Sequence, residues 1–214
     1  MDPSKDTNNG LIIGISGNIG AGKTTIGKLL AEHLNAEFYQ EPVNDLLLQQ
    51  FLANPDKYAY AFQLYMLTRR QLNYALAEEN KKYGKITVID RTLRCDKVFA
   101  CQQHTNNSIT DDELRIYKSV YDDFMPYKPD VVIHLDASID TLMQRIQKRD
   151  RAGETVYTRE YLTNLTNEYN IALNELEENN IRICRLDWNA DIDLTSETAV
   201  QALLEEITQK VIST

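Results

Sequence analysis

The run Gly17-Asn18-Ile19-Gly20-Ala21-Gly22-Lys23-Thr24 reads G-x-x-x-x-G-K-T. That spacing builds a phosphate-binding loop. Its glycines let successive backbone N–H groups curl around phosphate oxygens, and the helix that follows turns its positive end on the anion. Lys23 reaches the outer phosphates, and Thr24 offers a hydroxyl to Mg2+. Thr25 extends the same loop. A chance match to the four fixed positions is roughly one in a hundred for a chain this long. A ligand-free glycine turn is therefore the weaker reading, and the chain is expected to bind a nucleoside triphosphate.

Other chemically able residues stand where strands should end. Glu41 precedes Pro42, and proline holds the residue before it extended. Glu41 thus continues a strand line toward the phosphates, as a general base on an attacking hydroxyl or as a solvated strand-end carboxylate. Asp90-Arg91-Thr92 follows a second apolar run. A carboxylate there can hold Mg2+ or act as a base, and an arginine can neutralise a moving phosphoryl group; a surface ion pair is the plainer alternative. Arg145 and Arg149 share a helix face, and Arg151 follows before Ala152-Gly153-Glu154. Alone they would be a solvated basic helix end suited to the dipole. Beside a triphosphate they are expected to form an Arg-rich closing lid. Asp136 has the place of a Walker B aspartate, but no glutamate follows it to activate water, so a helix N-terminal acid before Ser138 fits better. His134 reads as a packed histidine.

These positions require a particular scaffold. Short apolar runs, 11–16, 36–40, 86–89, 131–135 and 181–186, alternate with helical patterns. That alternation predicts a P-loop NTPase fold of the α/β class, a five-stranded parallel sheet with helices on both faces. Helical patterns cover 25–34 and 55–82, a Thr110-Asp111-Asp112-Glu113 capping box opens another, and a last helix begins near Thr195 and Ser196. In such sheets chemistry gathers at the carboxyl ends of strands.

The composition restricts the partners. The 214 residues carry 23 Lys and Arg against 32 Asp and Glu, a net charge of −9, which argues against nucleic acid or an anionic membrane as a partner. Hydrophobic residues make up 43% of the chain, enough for one core, so a single domain is expected over 11–214. The polar segment 1–10 resembles neither a secretory signal nor an Arg-rich transit peptide and is expected to be a disordered lead-in. Three cysteines without metal spacing read as reduced thiols, and the expected location is cytoplasmic.

Together these pieces resemble the deoxynucleoside kinase family (deoxycytidine, deoxyguanosine and deoxyadenosine kinases) from Leu11 to about Ile192. The phosphate loop is followed by Glu41-Pro42-Val43, then Tyr60-Ala61-Phe62-Gln63 with Arg69 six positions later. Asp90-Arg91-Thr92 with Asp96 comes next, then the run from Arg145 to Arg151, Tyr161-Leu162 and Leu186-Asp187. The resemblance implies transfer of the ATP γ-phosphoryl group to a deoxynucleoside 5′-hydroxyl, with Mg2+. Glu41 would be the base and Asp90 would help hold the metal with Thr24, although the two carboxylates could share or exchange roles. Arg91 would steady the 5′-oxygen and Glu41. Gln63 would read the base edge, and Glu154 would bind the sugar 3′-hydroxyl. Arg145, Arg149 and Arg151 would close over the phosphates, and 189–192 would lie near the adenine of ATP. Arg69 and Asp96 would form an unlike-charge pair beside the nucleoside base. The aspartate can accept from the amino group of adenine or cytosine and finds no such donor on thymine. Deoxyadenosine is therefore expected first, deoxycytidine or deoxyguanosine next and thymidine last. A homodimer packed through long helices, including 55–82, is also implied.

The chain departs from the family pattern in three ways. Asp90 stands where many members carry glutamate, and Leu52 where many carry a tyrosine on the 3′-hydroxyl, which puts more weight on Glu154. The spacing from Asp96 to Phe99 is of the bacterial type, and Phe99 is equally a base-stacking ring or a core residue. Two other functions fit part of the pattern. A thymidylate kinase-like nucleoside monophosphate kinase shares the loop and the Asp-Arg pair, but Glu41-Pro42-Val43 and Gln63 suit a neutral nucleoside better. A regulatory nucleotide switch would favour an Asn-Lys-x-Asp signature, and Asn80-Lys81-Lys82-Tyr83 lacks the aspartate.

Overall fold

A computed structural model describes residues 10–123, 127–190 and 195–212. Strands β1 (Leu11–Gly17), β2 (Glu37–Tyr39), β3 (Ile86–Asp90), β4 (Val131–Asp136) and β5 (Arg182–Asp187) form one parallel sheet in the order β2-β3-β1-β4-β5. Among the described residues the α-helices are α1 (Lys23–His33), α2 (Asp45–Ala53), α3 (Pro55–Lys82), α4 (Leu93–Thr105), α5 (Asp111–Asp123), α6 (Ile139–Arg149), α7 (Arg159–Glu178) and α8 (Glu197–Ile212).

The five expected strands are all present, and the reason lies in burial. β1 is apolar on both faces because a central parallel strand is covered on both sides. Ile13, Ile15 and Val88 join a cluster that includes Ile26 and Leu30 of α1, whereas Ile12 and Ile89 join Phe62, Leu67 and Tyr74 of α3. Helices therefore lie on both faces. The register sets Ile15 beside Asp90 and Gly17 beside Leu135, so the phosphate loop leaves the sheet between the ends of β3 and β4.

Local sequence fixes the ends of the helices that carry the site. Asn54 caps α3 by accepting from the Lys57 N–H, with Pro55 in the first turn. Thr110 and Glu113 satisfy each other's backbone N–H groups, as a capping box should. Ser138 caps α6 and Thr158 caps α7; Asp136 thus lies before a capped helix, as expected. His134 is buried with Nδ1 3.2 Å from Ser16 Oγ. Burial, and then Arg185 and Lys23, lower its pKa to about 4, which keeps it a neutral packing residue.

Residues 1–9 lie outside the described residues, so the expected lead-in is described only at its last member. Gly10 differs from that expectation: it is buried, and a Cβ there would stand 2.6 Å from the Lys81 backbone. The Leu11 N–H bonds the Lys85 carbonyl, so Gly10 packs with the strand that follows it.

Candidate active site

The loop between β1 and α1 depends on backbone freedom at two glycines. Gly20 and Gly22 have φ of 81° and 84°, a region costly for other residues. A Cβ on Gly20 would also come within 2.9 Å of Ile146. Lys23 is buried and donates to the Asn18 carbonyl at 2.7 Å. Burial, followed by repulsion from Arg91, lowers its pKa to about 7 against the pull of Asp90 and Glu41. Asn18 donates to the Leu162 carbonyl and to Thr166 Oγ1, which ties the loop to α7.

Thr24 Oγ1 donates to Asp90 Oδ2 at 2.5 Å. Asp90 is wholly buried, and its Oδ1 has no hydrogen-bond partner among the described residues. An orphaned carboxylate oxygen beside a threonine hydroxyl and a phosphate loop suits a hard cation. Among the described residues no cluster of three or more His, Cys, Asp or Glu side chains surrounds it. Substrate phosphates and water would have to complete the shell, as they do for Mg2+.

Glu41 extends the line of β2 and is held by two arginines. Its Oε1 lies 2.8 Å from Arg91 Nε and 3.2 Å from Arg70 Nη2. The contact with Arg91 is an ion pair without the alignment of a hydrogen bond, since that Nε has no hydrogen-bond acceptor. Burial alone would raise the pKa of Glu41. Arg91, Arg70 and Lys23 outweigh it and bring the value down to about 2. Arg91 has φ of 71°, a strained state for a non-glycine residue. Its backbone N–H bonds the Ile15 carbonyl at 3.0 Å, and its guanidinium reaches the Gly17 carbonyl and the Tyr169 hydroxyl.

These residues line one cavity of about 660 Å3, together with Gln63, Asp96, Phe99, Arg145, Arg149, Arg151 and Glu154. Gln63 is only 3% exposed, and its side-chain amide has no partner among the described residues, which leaves a donor and an acceptor for a ligand. Arg149 makes a two-point ion pair with Glu154, Nη2 to Oε1 at 2.6 Å and Nε to Oε2 at 3.1 Å. The arginine expected in the lid and the carboxylate expected at the sugar therefore meet directly. Arg145 Nη2 donates to the Ala190 carbonyl, while 191–192, expected near adenine, lie outside the described residues. Leu52 is buried against Gly153, where a Cβ would meet its side chain at 3.1 Å, and it does not line the cavity.

The expected pairing of Arg69 with Asp96 is corrected. Arg69 is exposed and does not line the cavity. Its neighbour Arg70 is 1% exposed and donates from Nε to Asp96 Oδ2 at 2.5 Å and from Nη1 to the Asp90 carbonyl. Two full helical turns separate Gln63 from Arg70, so the two share a face, and a step of six residues turns Arg69 away. Burial works against the Arg70 charge, but Asp96 and Glu41 overcome it and raise its pKa. Burial raises the pKa of Asp96 despite Arg70. Phe99 stands 4.8 Å beneath the Arg91 guanidinium and also lines the cavity.

A family model for deoxynucleoside kinases matches residues 13–213. The chain belongs to the deoxynucleoside kinase family. A deoxyadenosine kinase of Dictyostelium discoideum is 33% identical to this kinase over 187 residues, 86% of this chain and 75% of that one. A deoxyguanosine kinase of Bacillus subtilis is 30% identical over 174 residues, 78% of this chain and 80% of its own. The structure of a deoxyadenosine kinase from M. mycoides, solved with dCMP and a flexible dCDP bound, superposes with a TM-score of 0.79 at 26% identity, over 93% of this kinase and all of that chain. The family transfers a phosphoryl group to a deoxynucleoside, so the monophosphate kinase alternative falls away. No described helix is long and apolar enough to cross a membrane.

Proposed function

We propose that this kinase phosphorylates deoxyadenosine, then deoxycytidine or deoxyguanosine, and thymidine least, with ATP and Mg2+, as one domain from Leu11 onward. Asp96, fixed by Arg70 at the inner wall of the cavity, carries the base preference. It can accept from an exocyclic amino group, whereas thymine would leave this buried carboxylate short of a donor, at a cost of ~1–3 kcal/mol. Gln63 supplies a second, paired reading of the base edge. Relatives named deoxyadenosine kinase support deoxyadenosine as a substrate, and others named deoxyguanosine kinase support a purine.

In this reading the phosphate loop, Lys23, Arg145, Arg149 and Arg151 bind and enclose the triphosphate. Thr24 and Asp90 would hold Mg2+, which when bound supplies charge neutralisation for phosphoryl transfer. Glu41 accepts the hydrogen of the 5′-hydroxyl. With a pKa near 2 it stays ionised in the free enzyme. It is a weak base whose value lies in orientation until phosphoryl transfer acidifies the hydroxyl. Arg91 holds Glu41 and faces the 5′-oxygen. Glu154 binds the 3′-hydroxyl, and its pairing with Arg149 supports a lid that senses the sugar. A substrate already phosphorylated would set its charge against Glu41, which argues for a neutral nucleoside. Leu72 and Leu76, one turn apart on α3 and 50% and 53% exposed, support a homodimer through that helix, and the reduced thiols support a cytoplasmic location.

The test is a panel of the four deoxynucleosides at one fixed ATP concentration. The proposal expects kcat/KM to be highest for deoxyadenosine and lowest for thymidine. Thymidine as the best substrate would overturn it.

A further inference from the structure

Arg91 occupies a strained backbone conformation at the centre of the site, and something must hold its guanidinium in place. The support comes from α7. Tyr169 lies in the middle of that helix, 2% exposed, and its hydroxyl accepts from Arg91 Nη1. The same Nη1 reaches the Gly17 carbonyl at 3.3 Å. The guanidinium therefore bridges the first residue of the phosphate loop and α7, while its Nε faces Glu41 at 2.8 Å. Phe99 supports the guanidinium from its flat side at 4.8 Å, and Tyr169 packs edge-on against Phe99 with centroids 6.3 Å apart. Tyr169 thus touches both the hydrogen-bonding edge of Arg91 and the ring beneath it. It does not line the substrate cavity.

The geometry points to Tyr169 as a positioning residue for phosphoryl transfer: its hydroxyl fixes the Arg91 guanidinium, and through it Glu41, in the orientation that the transition state uses. This rests on the reading of Arg91 as a catalytic residue. A planar guanidinium anchored at one Nη cannot swing about its side chain, so Nε stays on Glu41 while the remaining hydrogens face the cavity. Burial keeps the tyrosine hydroxyl protonated, since its pKa is raised even against the pull of Arg91, so it remains a neutral acceptor and does not compete with Glu41 for the charge. The helix serves both partners in the site. One and two turns toward its N-terminus, on the same face, Thr166 Oγ1 and the Leu162 carbonyl hold Asn18 of the phosphate loop. Loop and arginine are thereby registered against one rigid element.

A double-mutant cycle tests it with Tyr169→Phe, Arg91→Lys and the pair, all measured with deoxyadenosine and ATP. Tyr169→Phe keeps the ring and removes the hydroxyl. We expect kcat to fall about 10-fold with both KM values within about twofold, because the guanidinium is needed most in the transition state. We expect Arg91→Lys to fall further, and the pair to be no worse than Arg91→Lys alone, because both changes act through one group. Losses that multiply, or a Tyr169→Phe enzyme within twofold of the native rate, would overturn the positioning role while leaving Arg91 catalytic. An Arg91→Lys enzyme of near-native rate would overturn the reading of Arg91 and this inference with it. If Tyr169→Phe does not fold, 4-fluorophenylalanine at position 169 fills the space of the hydroxyl without comparable acceptor strength; the same loss of kcat is expected, and a native rate would refute the role.

Discussion

ATP binding should draw a proton from solvent onto Lys23. In the free enzyme this lysine is buried beside Arg91, and its pKa is about 7. A triphosphate in the loop places several negative charges against Nζ and returns the lysine to its charged form. At pH 8 the free lysine is only about one-tenth protonated, so Lys23 should take up about 0.9 proton on binding, and about 0.5 at pH 7. The terminal phosphate, with a second pKa of about 6, holds almost no proton at pH 8 and does not obscure the signal. Titration calorimetry in buffers of different ionisation enthalpy measures the number directly as a slope. Lys23→Met, titrated at concentrations high enough to saturate, should abolish it. No uptake at pH 8, or the same uptake in Lys23→Met, would refute the reasoning. A corollary concerns the unliganded fold. Between about pH 7 and the ordinary value of 10.5 the unfolded chain keeps a proton that the folded one has released. This group therefore makes the free enzyme more stable as pH rises through that window.

Three further predictions concern the cavity. Glu41→Gln should retain nucleoside binding but lose ~10²–10⁴-fold in kcat, measured by steady-state assay; near-native turnover alongside a dead Asp90→Asn would transfer the base role to Asp90. Because Glu41 is depressed from 4.5 to about 2, its ion pairs stabilise the fold above pH 4.5 and that contribution is lost as pH falls toward 2, so acid-unfolding curves of Glu41→Gln should be flatter there. Arg149→Ala should lower kcat and raise the nucleoside KM together, since it removes a phosphate ligand and the partner of Glu154; unchanged kinetics would leave Arg149 a solvated helix end. Arg70→Met with Asp96→Ala, made together so that neither leaves an unpaired buried charge, should raise the thymidine-to-deoxyadenosine ratio of kcat/KM by about 10–100-fold; an unchanged ratio would make the pair purely structural.

Features governed by local rules were legible in the chain. The phosphate loop, the long α3, the Thr110 capping box and the five apolar strands follow from spacing and turn chemistry alone. β2 proved shorter than its apolar run, Glu37–Tyr39 against the expected 36–40, because an edge strand pairs only with β3. The choice between Arg69 and Arg70 shows where reading by motif fails. Phasing the helix on Phe62, Met66, Leu67 and Tyr74 would have selected Arg70, whereas family spacing did not. Tyr169 carried no usable signal. In α7 it falls among Leu165, Ala172 and Leu173 and looks like core, and its partner Arg91 is 78 residues away. The Arg149–Glu154 pair was hidden for another reason. Both residues were expected in the cavity, but for different substrates, and only the turn through Gly153 brings them together.

The most direct test is a crystal structure of the kinase with deoxyadenosine, Mg2+ and a non-hydrolysable ATP analogue. The account predicts the 5′-oxygen within hydrogen-bond distance of Glu41 and in line with the γ-phosphorus, the metal on Thr24 and Asp90, and the adenine amino group directed at Asp96. A 5′-oxygen on Asp90, or a base lying away from Arg70 and Asp96, would contradict it.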